Sequence, residues 1–163
     1  MHAIASGLYS FCHWALESSF GHGVRDSVWL FPAIEICHLI GLAVLGGAIL
    51  LIDFRLLGMR FQNEPVANLW RDVQPLMIGS IVVMLVSGFF LFSSEAVKMY
   101  GNAAFRLKMV SLLLAIIFTF TIHRQVTLAD ETRYSPFWRK TAAVVSILLW
   151  ACVGIGGRAI GYV

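Results

Sequence analysis

The chain has 163 residues, 59% hydrophobic and 13% charged, with net charge +3 and mean hydropathy +0.81. Soluble domains carry about 25% charged residues, so half that share points to lipid as the main solvent. The basic residues sit in short loops between apolar runs, which makes them a topology signal and excludes a nucleic-acid-binding surface.

Residues 3–20 come first. Ser6, Ser10, His13 and Glu17 share one helical stripe, with Ile4, Leu8, Phe11, Trp14 and Ala15 off it. That pattern predicts an amphipathic helix lying in the membrane interface. A fifth span would have to bury both His13 and Glu17. No basic region precedes the apolar stretch, so a cleavable signal peptide is not expected. Gly21-His22-Gly23 lets the chain turn into the first span.

Four runs have the length of transmembrane helices, about 17–25 residues. They cover residues 29–54, opened by Asp26-Ser27 as an N-cap; 75–92, with Pro75 near the first turn; 105–122, preceded by Gly101-Asn102; and 141–163. Strand alternation and internal repeats are absent from the sequence. The expected fold is all-α: one integral membrane domain over 1–163, an antiparallel four-helix bundle with an interfacial N-terminal helix. Arg55, Arg60, Arg71, Arg124, Arg133, Arg139 and Lys140 flank one side, against Arg25, Lys98, Arg106 and Lys108 on the other. This bias predicts both termini outside, in the periplasm of a bacterial inner membrane.

Cys12, Cys37 and Cys152 show no metal or disulfide spacing. The best chemical clue is Glu35 with His38, three residues apart in an apolar run. A carboxylate there costs about 2.5 kcal/mol or more on insertion scales, so it needs partners or a wet cavity. Glu35, His38, Leu42, Leu45, Ile49 and Asp53 share one helix face. By the helical rise, Glu35 lies about 12 Å and His38 about 16 Å from Ser27. Lys108 lies about 9 Å below Asn102, and Arg158 about 7 Å above the C-terminus. All four then fall in the outer half, where the long basic side chains can reach Glu35. Two readings stand: a buried ion pair that fixes register, or a polar pocket.

The histidines raise haem. His38 and His123 differ in depth by about 15 Å, too much for one haem between them within a protomer. His38 can pair instead with Met109, with His13 or His22, or with a second chain; otherwise it is a hydrogen-bonded core histidine. His123, beside Arg124 at a helix end, reads as an interfacial group. The methionines lack the spacing of a copper path and read as packing. Ala43 with Gly47, Gly79-Ser80, Ser87-Gly88 and Gly154-x-Gly156-Gly157 read as packing faces.

The run Ser27-x-Trp29-Leu30-Phe31-Pro32-x-x-Glu35-x-x-His38-Leu39-x-Gly41-Leu42 is followed by Asp53-Phe54-Arg55-Leu56-Leu57-Gly58. With Ser87-Gly88-x-x-Leu91-Phe92, Asn102-x-x-Phe105-x-x-Lys108, Ser146-x-x-x-Trp150 and Gly157-Arg158, it resembles an uncharacterised bacterial family of small integral membrane proteins. The resemblance covers most of residues 27–160 and leaves out the N-terminal segment and 124–140. It implies a four-span helical protein with Glu35, His38, Asp53, Arg55, Asn102, Lys108 and Arg158 as signature residues. It implies no activity.

The leading expectation is a non-enzymatic, redox-associated or accessory membrane subunit with an outer-half pocket formed by Glu35, His38, Asn102, Lys108, Trp150 and Arg158. The pocket would hold haem b, with His38 as iron ligand, or a quinone headgroup. Alternatives are a small transporter or channel, with Glu35, His38 and Asp53 along its path, and an assembly subunit that forms homo-oligomers or binds other membrane subunits. An enzyme is the least supported class, because no catalytic motif is present.

Overall fold

A computed structural model describes residues 2–59, 65–129 and 133–162, with the side chains of 2–6, 8, 19 and 20 outside the description. Arg60 therefore lies outside the described residues, as does the Ser6 end of the N-terminal stripe.

The chain folds almost entirely into helices, and the described residues contain no strand. Two helices lead: α1, His2–Glu17, and α2, Ser19–Asp26. The Ser18 hydroxyl accepts the Gly21 N–H at 3.1 Å and caps α2. The first span is α3, Leu30–Leu56, where Ser27 Oγ accepts the Leu30 N–H at 3.1 Å. It ends in a left-handed turn at Gly58, φ 78°, closed by the Met59 N–H on the Phe54 carbonyl at 2.9 Å.

The second span, α4, runs Val66–Ser94. It starts nine residues before the expected position, and Pro75 lies inside it instead of at its first turn. After the short α5, Ala96–Gly101, the third span covers Ala103–Leu128. Within it α6, Ala103–Phe118, passes through a π-helical turn, Thr119–His123, into α7, Arg124–Leu128. Asn102 caps α6 by accepting the Ala104 and Phe105 N–H groups at 2.8 and 3.2 Å. The fourth span, α8, is Pro136–Ala159, with Ser135 at its N-cap.

All four spans are long and apolar enough to cross a membrane. The upper end of the bundle carries α1, α2, α5, the starts of α3 and α6 and the end of α8. The lower end carries the α3–α4 and α7–α8 connections. Around the bundle the packing order is α4, α3, α8, α6, and α4 meets the third span through α7 at the lower end. Leu45, Ala48, Ile49, Ile52 and Leu56 of α3 are buried at three- and four-residue spacing, against Trp70, Met77 and Met84 of α4 and Ala143, Trp150 and Val153 of α8. Small residues permit the close approaches. A Cβ on Gly41 would meet Met84 Cγ at 3.2 Å, and one on Gly156 would meet Lys108 Cβ at 3.3 Å. Ala43 is exposed and Gly47 has no neighbour there within 4 Å, so this pair packs nothing in the chain.

At the upper end α1 leans on α5 and the top of α4 through Cys12, Ala15 and Ala96. Gly21 sits where a Cβ would be 2.6, 2.8 and 2.9 Å from the Ala15, Leu16 and Ser93 carbonyl oxygens. Only glycine fits that contact.

Candidate functional site

Because α4 touches the third span chiefly at the lower end, the two helices part above it. The gap is a cavity of about 930 Å³, predominantly apolar, between α4 and α6 with α3 behind and α1 and α5 above. Phe92 and Phe105, stacked at 5.5 Å, belong to its wall. Its polar groups include His38, Arg106, Lys108 and Tyr100, and Cys12 and Met109 add a thiol and a thioether.

His38 reaches the cavity because Gly88 of α4 has no side chain; a Cβ there would lie 3.2 Å from the ring's Cε1. The ring is held by Nδ1···Oγ of Ser87 at 2.9 Å. The Ser87 hydroxyl donates its single proton to the Val83 carbonyl at 2.6 Å, so towards His38 it accepts. Nδ1 therefore carries the hydrogen, and the neutral ring keeps its lone pair on Nε2. Lys108 runs along α8, its Nζ 3.5 Å and its Cβ 3.3 Å from where Cβ atoms would stand on Gly157 and Gly156.

The other expected pocket residues are placed elsewhere. Glu35 is exposed and does not line the cavity. It stands three residues, about 5 Å, above His38 on α3, outside the cavity lining. Arg158 is exposed with its guanidinium 5.3 Å from the centre of the Tyr162 ring. The Glu35–Lys108–Arg158 cluster is thus not formed. Asn102 is the buried cap of α6, with Nδ2 3.5 Å from the Ile160 carbonyl. Trp150 lies deeper, donating Nε1–H to Thr119 Oγ1 at 3.1 Å, so it bridges α8 to the third span and is no cavity wall. Arg55 is half-buried at the lower end.

One constellation was not expected. His123 is fully buried, as is Asp53, with Nε2 2.7 Å from Oδ1. The interfacial reading of His123 is therefore corrected: the helix continues through the π turn to Leu128, so Arg124 does not end it. Equal depth was the available signal. Asp53 lies about 35 Å below Leu30 and His123 about 30 Å below Ala103 at the helical rise. Among the described residues, no group of three His, Cys, Asp or Glu is placed to hold a metal ion.

A chain whose polar backbone is satisfied within four long apolar helices is a small multi-pass α-helical membrane protein. Residues 11–163 match a family of unknown function, DUF6644, and the chain belongs to that family. The match takes in the second half of α1 and the 124–140 stretch, both beyond the resemblance visible in the sequence. No curated protein and no solved structure matches the chain.

Proposed function

We propose that the protein is a redox-associated membrane subunit whose upper cavity binds haem b, with His38 as an axial iron ligand. The observation that carries this reading is the 2.9 Å contact between His38 Nδ1 and Ser87 Oγ at the cavity wall. Metal-ligating histidines usually donate their other ring N–H to a fixed acceptor, and Ser87 stands where it can accept from Nδ1 of His38. The surroundings fit the group. The volume is at the upper end of the ~300–1,000 Å³ usual for ligand sites. Its walls are apolar, Met109 on α6 offers a second axial donor, and Arg106 and Lys108 match the two propionates. Bound there, haem b would supply one-electron transfer, while the chain's own residues orient and neutralise it.

A quinone is the second reading, favoured by the Lys108 ammonium, a hydrogen-bond donor for a carbonyl oxygen within an apolar cavity. Haemin titration into the protein in mild detergent separates the two. The haem reading predicts a saturating one-to-one Soret change, abolished in His38→Ala and altered in position by Met109→Leu. Absence of saturable binding, with quinone found in the organic extract, overturns haem in favour of quinone. A continuous path along α3 is disfavoured by buried Leu45, Ala48, Ile49 and Ile52. We place the protein in a bacterial inner membrane with the upper end, and both termini, on the periplasmic side, on the strength of the basic lower loops.

A further inference from the structure

Among the described residues, the lower half of the bundle buries His123 Nδ1 and Trp70 Nε1 without a hydrogen-bond partner, beside Asp53, whose carboxyl the Ser146 hydroxyl approaches. They form one neighbourhood. Asp53 and His123 are bonded at 2.7 Å, the Trp70 ring centre is 5.9 Å from that of His123, and Ser146 acts on the Asp53 carboxyl from α8. Native cores leave few polar atoms unpaired, and each one left calls for an explanation: strain, a catalytic role, or a bound water or ion. The neighbourhood is also built on a π turn, a distortion found often at functional sites.

Charge bookkeeping identifies the guest. One proton lies between Nε2 and Oδ1. With Asp53 ionised and the ring neutral, the pair carries −1 in an apolar interior, which is costly. One more proton, taken by the unpartnered Nδ1, makes it net neutral as imidazolium with carboxylate. The described groups in contact with it carry no charge: Trp70 from α4, Phe118 from α6, Thr119 from the π turn, Thr127 from α7 and Ser146 from α8. The charged residues next in the chain are half-buried Arg55 and exposed Arg71, Asp72 and Arg124.

The lower end of the bundle is the nearer one. Asp53 is three residues, about 5 Å, from the end of α3, and His123 five residues, about 8 Å, from the end of α7. Above the pair, buried Leu45, Ile49 and Met77 fill the bundle. We propose that Asp53 and His123 form an intramembrane proton-binding site that exchanges one proton with the aqueous phase at the lower end. The site stands apart from whatever the upper cavity holds.

The test is nitrogen NMR of the full-length protein in lipid nanodiscs, labelled at its histidine rings and titrated with pH. The His123 signal is identified by its loss in His123→Gln. The proposal expects it to switch between neutral and protonated ring positions as bulk pH changes. It further expects Asp53→Asn to lower the ring's proton affinity at least tenfold. A His123 signal that keeps one protonation state across the whole pH range overturns the proposal and makes the pair a fixed structural link. A switch that Asp53→Asn leaves unmoved also overturns it. If that variant does not fold, the unmodified protein's titration decides alone.

Discussion

At the scale of single residues, one hydroxyl and one carboxylate govern the two polar sites. Ser87 gives its proton to Val83 and so fixes which nitrogen His38 offers to the cavity. Ser87→Ala removes that acceptor and frees the ring. It should weaken haem binding about 10- to 100-fold, the usual cost of losing such a second contact, as read by haemin titration. Fold stability should fall by only about 1 kcal/mol. The lower pair behaves differently, because either partner alone is a buried polar orphan. Asp53→Leu or His123→Leu should each cost about 3–5 kcal/mol in detergent-unfolding experiments, and the double variant should regain most of that loss. Additive losses would show that the two groups do not interact. Counting helical rise placed His38 and Lys108 at similar depth, and both line the cavity. Glu35 and Arg158, which the same count put in the outer half, are exposed and do not line the cavity.

At the scale of elements, the spans were legible from their apolar lengths, because lipid forces every backbone polar group into an internal bond. Their ends were less legible. Trp70-Arg71-Asp72 and His123-Arg124-Gln125 look like loops, yet the helices run through them to Val66 and Leu128. Polar side chains end the hydrophobic run there without ending the backbone bonding. The α1–α2 corner depends on Gly21, since a Cβ would meet three carbonyl oxygens within 2.9 Å. Gly21→Ala should detach α1 from α4 and uncover Cys12, which is 2% exposed. Burial raises the Cys12 thiol above the usual pKa, so less thiolate is present at neutral pH. Alkylation of Cys12 by maleimide, read by peptide mass spectrometry, should therefore be slow and should quicken as pH rises. It should be markedly faster in Gly21→Ala. Equal rates in the two proteins would contradict the packing assigned to α1.

At the scale of the whole molecule, four spans put residues 2 and 162 at the same end. Alkaline phosphatase fused after residue 162 should be active and green fluorescent protein there dark, if the basic lower loops face the cytoplasm. The opposite pattern would invert the assigned orientation. The fold class was readable because periodicity and length suffice for a bundle. The cavity was not, because it arises where α4 and α6 separate, a property of how helices pack and not of any one helix. The claim that joins these scales is that His38 holds a haem in that cavity. Its most direct test is a reduced-minus-oxidised visible spectrum of the protein purified in mild detergent, alongside His38→Ala. A b-type spectrum that vanishes in the variant is the predicted result. A colourless protein, or a spectrum unchanged by His38→Ala, would contradict it.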